Sequence, residues 1–258
     1  KRVYLDYNAT TPIHPLVVKE MEIYINKYFG NPSSSHWYGM KAHEAVEKAR
    51  SQVSEILGCT PEEIVFTSGG TESNNYVILG VAETYKNKGN HIITSSIEHP
   101  SVIRPCQYLE KHGFEVTYLP VDSYGMVNPI DARKAIKPTT ILITIMHANN
   151  ETGTIQPIQE ISHITKEKNI LFHTDAAQTI GKIPSRVENI GVDFLTIAGH
   201  KLYVPKGVGA LFVRKGIKIE PLFYGADHER GLRPGTENVI EIAGLGKACE
   251  ILSKMKKD

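Results

Sequence analysis

Two side chains with complementary chemistry each stand at the end of a short hydrophobic run. Lys201 follows the run that starts at Phe194, and Asp175 follows the run that starts at Ile170. If these runs are neighbouring strands, the lysine and the aspartate meet at one edge of a sheet. A lysine amine forms a Schiff base with the aldehyde of pyridoxal phosphate, and a carboxylate keeps the pyridine nitrogen of that cofactor protonated. The pair therefore predicts a pyridoxal-phosphate site.

Other polar residues follow similar runs, and each has a structural alternative to a role in chemistry. Asp175 itself could cap a following helix, and most lysines lie on the surface. His99 could also cap a helix, or it could stack on a planar cofactor and move protons. Asn150 and Gln178 are neutral donors that can bond a phenolic oxygen without adding charge. Their occurrence together, each after a different run, favours one shared site.

Residues 67–73 join one run to a helix that is predicted to begin near Thr71. The two glycines of this segment let backbone N–H groups approach an anion, and the N-terminus of a helix favours negative charge. The segment is neither a Walker loop nor a Rossmann fingerprint. It predicts either a phosphate-binding turn or an ordinary strand-to-helix turn.

A second segment with candidate anion-binding groups covers residues 228–236. Arg230 and Arg233 could bind an anion, or they could simply pair with the carboxylates of Asp227 and Glu229. The sequence leaves both interpretations open.

The elements that would position these residues follow from the hydrophobic pattern. Seven short runs are apolar on both faces, which is typical of buried parallel strands. Helical periods separate most of them, and this alternation predicts a doubly wound α/β fold with a mostly parallel seven-stranded sheet sandwiched by helices. The predicted strands cover residues 64–66, 91–94, 116–119, 141–145, 170–173, 194–197 and 210–213. The predicted helices cover residues 14–28, 39–57, 101–112, 157–168 and 237–253.

Composition argues against several classes of function. The chain has 258 residues, which suits one large α/β domain or two small ones, and 41% of them are apolar. The formal net charge is +1 and no block of five like charges occurs, so nothing favours nucleic acid or an anionic membrane. No apolar run approaches the roughly 20 residues that span a bilayer. We expect neither a nucleic-acid nor a membrane partner.

Cysteine usage indicates the redox compartment. Cys59, Cys106 and Cys249 have neither the spacing of a metal site nor an even number for disulfide pairing. The first residues do not have the pattern of a secretory signal. We expect a soluble protein of a reducing compartment, most simply the cytoplasm, without a metal site.

Eight short segments, in order along the chain, carry a resemblance to a known family. They cover residues 4–12, 29–36, 67–75, 98–99, 147–153, 175–178, 199–209 and 228–236, and together they span about residues 3–247. On these segments the chain resembles the NifS/IscS-like cysteine desulfurases, which are class V members of aminotransferase fold type I. The resemblance implies the large, pyridoxal-phosphate-binding domain of that fold.

The resemblance implies a role for each residue that matches the family. Lys201 would be the Schiff-base lysine, Asp175 the partner of the pyridine nitrogen, and His99 the histidine that stacks on the ring and moves protons. Gln178 and Asn150 would hold the ring oxygen and the region near the substrate carboxylate. Lys201 and His99 are thus the implied catalytic residues.

The phosphate of the cofactor would be held by a second group of residues. The residues implied there are Gly70, Thr71 and His200, with Ala198 and Gly199 beside them. Ala198 stands where many relatives have a serine that contacts the phosphate. Thr236 matches a threonine that reaches the phosphate of the other subunit, so the resemblance implies a homodimer with shared sites.

The reaction implied by the resemblance converts L-cysteine to L-alanine. A protein cysteine takes the sulfur as a persulfide, and a sulfur-acceptor protein then uses it for iron–sulfur cluster or thio-cofactor assembly. The nucleophile must be a thiolate on a mobile, accessible loop. That loop, and the family arginine that binds the substrate carboxylate, match no segment of this sequence. We therefore expect the three cysteines to be structural and this chain to be inactive alone.

The expected organisation has three parts. An N-terminal segment covers residues 1–13, the pyridoxal-phosphate-binding large domain covers residues 14–247, and the start of a connection to a small domain covers residues 248–258. Three alternatives stay open. They are a selenocysteine lyase with the same motifs, a non-catalytic remnant that binds the cofactor or supports a dimer, and a transaminase-like side activity.

Overall fold

The seven hydrophobic runs form the strands of one sheet in the computed structural model, which describes residues 2–255. The strands are β1 (Ile64–Thr67), β2 (His91–Ser95), β3 (Glu115–Leu119), β4 (Thr140–Thr144), β5 (Leu171–Asp175), β6 (Phe194–Ala198) and β7 (Gly209–Val213). Their order across the sheet is β1-β7-β6-β5-β4-β2-β3. All seven predicted strands are confirmed, and their bounds differ from the prediction by one or two residues.

The directions of the strands bring their carboxyl ends together. Neighbours are parallel from β3 through β2, β4 and β5 to β6, whereas β7 is antiparallel to both β6 and β1. Since β1 therefore runs in the same direction as β6, every strand except β7 ends at the same edge of the sheet. Thr67, Ser95, Asp175 and Ala198 are the last residues of β1, β2, β5 and β6 at this edge. The prediction of a mostly parallel sheet is confirmed.

Helices cover both faces of the sheet. They are α1 (Pro15–Asn26), α2 (Trp37–Leu57), α3 (Gly70–Tyr85), α4 (Pro100–Glu110), α5 (Pro129–Ala135), α6 (Ile158–Lys168), α7 (Val187–Ile190) and α8 (Val239–Met255). Short 3₁₀ turns cover Pro61–Glu63, Gly199–Lys201 and His228–Gly231. The five helices predicted with bounds are confirmed, as is the helix expected near Thr71. The short α5 and α7 were not predicted.

Alternation along each strand divides the core into two clusters. Ile64 and Phe66 pack into one cluster with α1, α2 and α8, whereas Val65 between them packs into the other cluster with α3 and α4. The same split separates Ile92 from Ile93 on β2. Because side chains of a strand point alternately to opposite faces, a run that is apolar throughout needs helices on both sides. The predicted sandwich of the sheet between helices is confirmed.

Helix α8 packs closely against α2 and carries the predicted domain boundary. A Cβ at Gly246 would lie 2.5 Å from the Cα of Ala49, so only glycine permits this approach. The boundary predicted at residue 247 falls inside α8, and Cys249 beyond it is fully buried. The division into domains stays a prediction, and its residues 1 and 256–258 lie outside the described residues.

Within residues 2–255, the helices are all too short or too polar to cross a membrane.

A buried ion pair attaches the segment 228–236 to the body of the fold. Two nitrogens of Arg50 donate to the two carboxylate oxygens of Glu229, each at 2.7 Å, and both residues are almost completely buried. Arg50 also donates to the carbonyl of Ile64, and Glu229 accepts from the N–H of Phe66 at 2.8 Å. The pair therefore joins α2, β1 and this segment through buried, charged hydrogen bonds.

The proposed pairing of Arg230 and Arg233 with adjacent carboxylates is wrong. Arg233 donates to Glu72 of α3 at 2.9 Å, and Arg230 donates to the carbonyl of Ile64 at 2.6 Å. The backbone is left-handed at both residues 229 and 230, with φ of 48° and 61°, and the Glu229 side chain is buried. The turn therefore separates charges that are close in sequence.

We predict that Glu229→Ala lowers the free energy of unfolding by about 3–5 kcal/mol, because the buried guanidinium of Arg50 loses its buried, bidentate partner and keeps the half-exposed Glu47 at 3.0 Å. Urea denaturation followed by circular dichroism measures the change. Glu44→Ala is the matched control, since Glu44 pairs with Lys41 at 2.7 Å on the surface and its loss should cost less than about 1 kcal/mol. Equal effects of the two variants would contradict the prediction.

Candidate active site

A cleft with about 490 Å³ of space, part of it open to solvent, lies at the carboxyl edge of the sheet. It is lined by Gly70, Thr71, His99, Ser101, Met146, Ala148, Asn150, Asp175, Ala177, Gln178, Ala198, His200 and Lys201. The structure thus brings most of the predicted site residues together. Two do not line the cleft, since Gly199 is buried in the 3₁₀ turn behind it and Thr236 is exposed elsewhere.

Asp175 is the most enclosed charged group of the cleft. Its side chain is 7% exposed, and each carboxylate oxygen accepts a hydrogen bond. Oδ1 accepts from the N–H of Ala177 at 2.9 Å, and Oδ2 accepts from Nδ2 of Asn74 at 2.7 Å. The residues that follow Asp175 form turns, so it does not cap a helix as the structural alternative proposed. Both bonds fix the plane of the carboxylate.

Lys201 lies in the 3₁₀ turn directly after β6, and its ammonium group is partly desolvated. Burial lowers the pKa of Lys201, although the negative charges of Asp175, Glu151 and Asp6 oppose this shift. A lower pKa raises the fraction of neutral amine at a given pH. The neutral amine is the form that attacks an aldehyde, so the burial of Lys201 favours that reaction.

His99 both caps a helix and lines the cleft, so the two interpretations of this residue are compatible. It is the N-cap of α4, and its Nδ1 faces Ser101, with the Ser101 hydroxyl at 2.7 Å and the Ser101 N–H at 3.2 Å. Asn74 of α3 donates to the same hydroxyl at 2.8 Å. Neither Asn74 nor Ser101 was predicted as a site residue. Site residues were predicted from polar side chains that directly follow a hydrophobic run, and a neutral side chain inside a helix does not show that pattern.

The N-terminus of α3 forms a cradle with free backbone donors. Its N-cap, Gly69, has φ of 149° and no side chain to accept a bond from the first turn. A Cβ at Gly70 would lie 3.3 Å from the Cβ of Ala198, so the helix begins close to the end of β6. The first-turn carboxylate, Glu72, is neutralised by Arg233. An anion at this helix end would thus meet N–H groups and little opposing charge.

The N-terminal segment closes one side of the cleft. The side chain of Gln178 donates to the carbonyl of Asn8 at 3.0 Å, and the side chain of Asn8 donates to the carbonyl of Asn150 at 3.2 Å. The N–H of Thr11 donates to the carbonyl of His200 at 3.1 Å. No role in the site was predicted for this segment. Its polar residues lie between hydrophobic ones without the period of a helix or strand, so only tertiary contacts reveal the role.

The polar groups around the cleft fit one kind of molecule. Such a molecule carries a phosphate for the amides of α3, a protonated ring nitrogen for Asp175 and an aldehyde for Lys201. Pyridoxal phosphate has all three groups. The residues present are therefore chemically suited to this cofactor.

The three thiols lie away from the cleft and are poor nucleophiles. Cys106 and Cys249 are fully buried, and Cys59 is partly buried. Burial raises the pKa of each thiol to about 12. At neutral pH they are protonated, and the thiolate is the reactive form.

The sequence matches the family described as aminotransferase class V over residues 3–258. It is similar to the cysteine desulfurase IscS of Dictyoglomus turgidum, with 56% identity over 251 residues, 97% of this chain and 64% of the relative. The IscS of Methanosarcina thermophila is 54% identical over 251 residues, 97% of this chain and 62% of the relative. The chain thus spans a little less than two thirds of the length of these curated relatives.

Solved structures with similar folds include proteins described in related terms. A structure described as a NifS-like protein is 46% identical and superposes with a TM-score of 0.97, over 100% of this chain and 71% of the other. A structure described as SspA in complex with cysteine is 44% identical, with a TM-score of 0.94 over 96% of this chain and 72% of the other. These matches agree with the fold type that the sequence motifs implied.

Proposed function

The chain belongs to the aminotransferase class V family, and we propose that it carries the pyridoxal-phosphate site of a cysteine desulfurase. In this reaction the Cβ–S bond of L-cysteine breaks, L-alanine is released, and a protein thiolate takes the sulfur as a persulfide. The observation that carries the proposal is the meeting of Lys201, Asp175 and the N-terminus of α3 around one cleft. The relatives named IscS and the neighbour solved with cysteine support L-cysteine as substrate.

Pyridoxal phosphate, when bound, supplies an electron sink that eases loss of the α-proton of an amino acid. The chain's own residues prepare this chemistry. Lys201 offers a partly desolvated amine to which the aldehyde attaches, and Asp175 offers a carboxylate, held at both oxygens, that keeps a proton on the ring nitrogen. His99 lines the same cleft and offers an imidazole for proton movement.

The phosphate-binding part of the proposal rests on the beginning of α3. Gly70 and Thr71 contribute backbone N–H groups of an uncapped first turn, and the helix dipole adds a favourable field for an anion. His200 also lines the cleft, and its Nδ1 lies 3.2 Å from the Thr10 hydroxyl. The side chain of Ala198 cannot donate a hydrogen bond to a phosphate, whereas a serine there could. The backbone amides of α3 would therefore supply more of the phosphate's hydrogen bonds in this chain.

We propose that the sulfur-accepting thiolate is none of the cysteines in this sequence. A persulfide-forming thiolate has to be ionised and accessible. Cys59, Cys106 and Cys249 have pKa values raised to about 12 by burial, and they do not line the cleft. The chain alone should therefore bind the cofactor without completing sulfur transfer.

The proposal includes a sulfur-acceptor protein and a reducing compartment, most simply the cytoplasm. A persulfide holds its sulfur only until another thiol attacks it, so a second protein has to receive the sulfur. Among residues 2–255 the cysteines are all free thiols, which agrees with reducing surroundings.

The proposal also includes a homodimer. An aromatic cluster made of Tyr28, Phe29, Trp37 and Tyr38 supports it, and all of these except the partly buried Tyr28 are exposed. Phe29 is 70% exposed and stacks on Tyr38 with ring centroids 5.2 Å apart. Contiguous exposed aromatic groups of this kind usually mark a protein interface. In such a dimer, Thr236 would contact the phosphate of the partner's site, which agrees with its position outside the cleft of its own chain.

We predict that Lys201→Ala abolishes the visible absorbance of the lysine-bound cofactor. Wild-type protein mixed with pyridoxal phosphate should develop this absorbance, and reduction with borohydride should attach the cofactor mass to the peptide that contains Lys201. Lys206→Ala is the matched control, because Lys206 is exposed on the loop that follows and does not line the cleft. Attachment that persists in Lys201→Ala would sink the assignment.

We predict that the 258-residue chain, loaded with cofactor and given L-cysteine, gains no stoichiometric persulfide. The physical reason is that the three thiols are fully or partly buried and, with pKa values raised to about 12, protonated at neutral pH. Labelled sulfur followed by peptide mass spectrometry measures the result, and Cys59→Ser controls for slow labelling of the one partly exposed thiol. One labelled sulfur per chain on Cys59, Cys106 or Cys249 would overturn this prediction.

We predict that Phe29→Glu weakens the dimer by roughly 30-fold, which corresponds to about 2 kcal/mol for a buried aromatic contact. A charge at this position would have to be buried in the interface. Analytical ultracentrifugation measures the dissociation constant. Tyr124→Glu is the control, because Tyr124 is 76% exposed but lies outside the aromatic cluster. A monomeric wild-type chain, or equal dissociation constants for both variants, would argue against the proposed interface.

A further inference from the structure

A buried bridge of two neutral side chains connects Asp175 to His99. Asn74 donates through Nδ2 both to Oδ2 of Asp175 at 2.7 Å and to the hydroxyl of Ser101 at 2.8 Å. The same hydroxyl lies 2.7 Å from Nδ1 of His99. Asn74 is 0% exposed and Ser101 is 6% exposed, so water does not compete for these bonds. We call Asn74 and Ser101 the bridge.

The direction of each hydrogen in the bridge follows from its two ends. A carboxylate only accepts, so Asn74 turns its amide nitrogen toward Asp175, and the second hydrogen of that nitrogen goes to Ser101. The Ser101 hydroxyl keeps one hydrogen of its own, and Nδ1 of His99 at 2.7 Å is placed to accept it. The N–H of Ser101 also points to Nδ1 at 3.2 Å, which leaves no room for a hydrogen on that nitrogen.

We propose that Asn74 and Ser101 are positioning residues that hold neutral His99 in the tautomer with its proton on Nε2. The ring then presents a hydrogen-bond donor, not an acceptor, to the molecule in the cleft. The identity of that molecule rests on the proposed function, and there the donor would face an electron-rich atom of substrate or cofactor. A thiolate sulfur, a carboxylate oxygen or a phenolic oxygen meets this requirement.

Helix capping alone does not account for the bridge. The cap needs only the N–H of Ser101 on Nδ1 of His99, and neither the hydroxyl nor Asn74 takes part in it. Asn74 also leaves its Oδ1 buried without a partner among the described residues, which is an energetic cost. An apolar residue at position 74 would avoid that cost, but it would leave Oδ2 of Asp175 without the donor from α3. The orientation of Asn74 is therefore set by Asp175 and Ser101, the two acceptors of its nitrogen.

The decisive measurement is the tautomer of His99 in the cofactor-free chain. Ring ¹⁵N chemical shifts separate a protonated from a bare nitrogen, and they are read above about pH 8, where histidine side chains are generally neutral. The signals of His99, one of 11 histidines, are identified by their loss in His99→Gln. We expect the wild-type ring to carry its proton on Nε2. A ring protonated mainly on Nδ1 would overturn the proposal.

Two substitutions of Ser101 test the role of the hydroxyl. Ser101→Ala should raise the ratio of Nδ1–H to Nε2–H by about 2- to 10-fold, the equivalent of one lost hydrogen bond. Ser101→Thr keeps a hydroxyl and should keep the wild-type ratio. An unchanged ratio in Ser101→Ala would show that the cap alone sets the tautomer, and the proposal would fail.

Asn74→Ala tests the far end of the bridge. Without the donor from residue 74, both lone pairs of the Ser101 hydroxyl are free, which makes a bond accepted from Nδ1 easier to form, so the ratio should move in the same direction as in Ser101→Ala. Asn75→Ala is the control, since Asn75 lies on the same helical turn and bonds to the backbone carbonyls of Thr71 and Ser101 but not to the Ser101 hydroxyl. If Asn74→Ala does not fold, the two Ser101 variants still decide the question. No cofactor is present in this test, so its outcome is independent of the Lys201 experiment.

Discussion

The carboxylate of Asp175 has to be satisfied inside the protein, and much of the site follows from this requirement. A buried charge is tolerated only when hydrogen bonds or an opposite charge compensate for lost hydration. Here the turn after β5 supplies the N–H of Ala177, and α3 supplies Asn74. Lys201 at the end of β6 is near enough for Asp175 to raise its pKa against the effect of burial. The same contacts that stabilise the charge also orient it toward the cleft.

Two buried titratable groups near Asp175, His173 and Glu98, are mostly uncharged at neutral pH. His173, two residues earlier on β5, bonds to Thr144 at 2.7 Å and Thr196 at 3.0 Å, and burial lowers its pKa to about 3. It is therefore neutral and joins three strands by uncharged bonds. Burial likewise raises the pKa of Glu98 to about 8, so this carboxyl is mostly protonated at neutral pH. Asp175 thus has no ionised carboxylate from Glu98 beside it.

The sequence predicted the site residues whose position follows from the ends of the strands. It did not predict the residues whose position depends on how helices and loops pack. Lys201 and Asp175 could be predicted because each follows a hydrophobic run, and parallel strands end at one edge. Asn74 could not, because its role depends on which side of α3 faces β5. Glu229 and Arg50 are 179 residues apart, and the left-handed turn that buries Glu229 has no clear sequence pattern. From the sequence, Arg230 and Arg233 were therefore the candidate partners of Glu229, whereas in the structure its partner is Arg50 of α2.

Burial has opposite consequences for the two nucleophiles that a desulfurase needs. Desolvation disfavours the charged form of any group, so it shifts a lysine toward its neutral, nucleophilic amine and a cysteine toward its neutral, unreactive thiol. Lys201 gains from lying at the edge of a packed sheet, whereas Cys59, Cys106 and Cys249 become inert within the same core. A sulfur-accepting thiolate requires water or positive charge around it. A lysine that attacks an aldehyde and a cysteine that attacks sulfur thus need different environments, and a rigid sheet edge with a separate, exposed thiol satisfies both requirements.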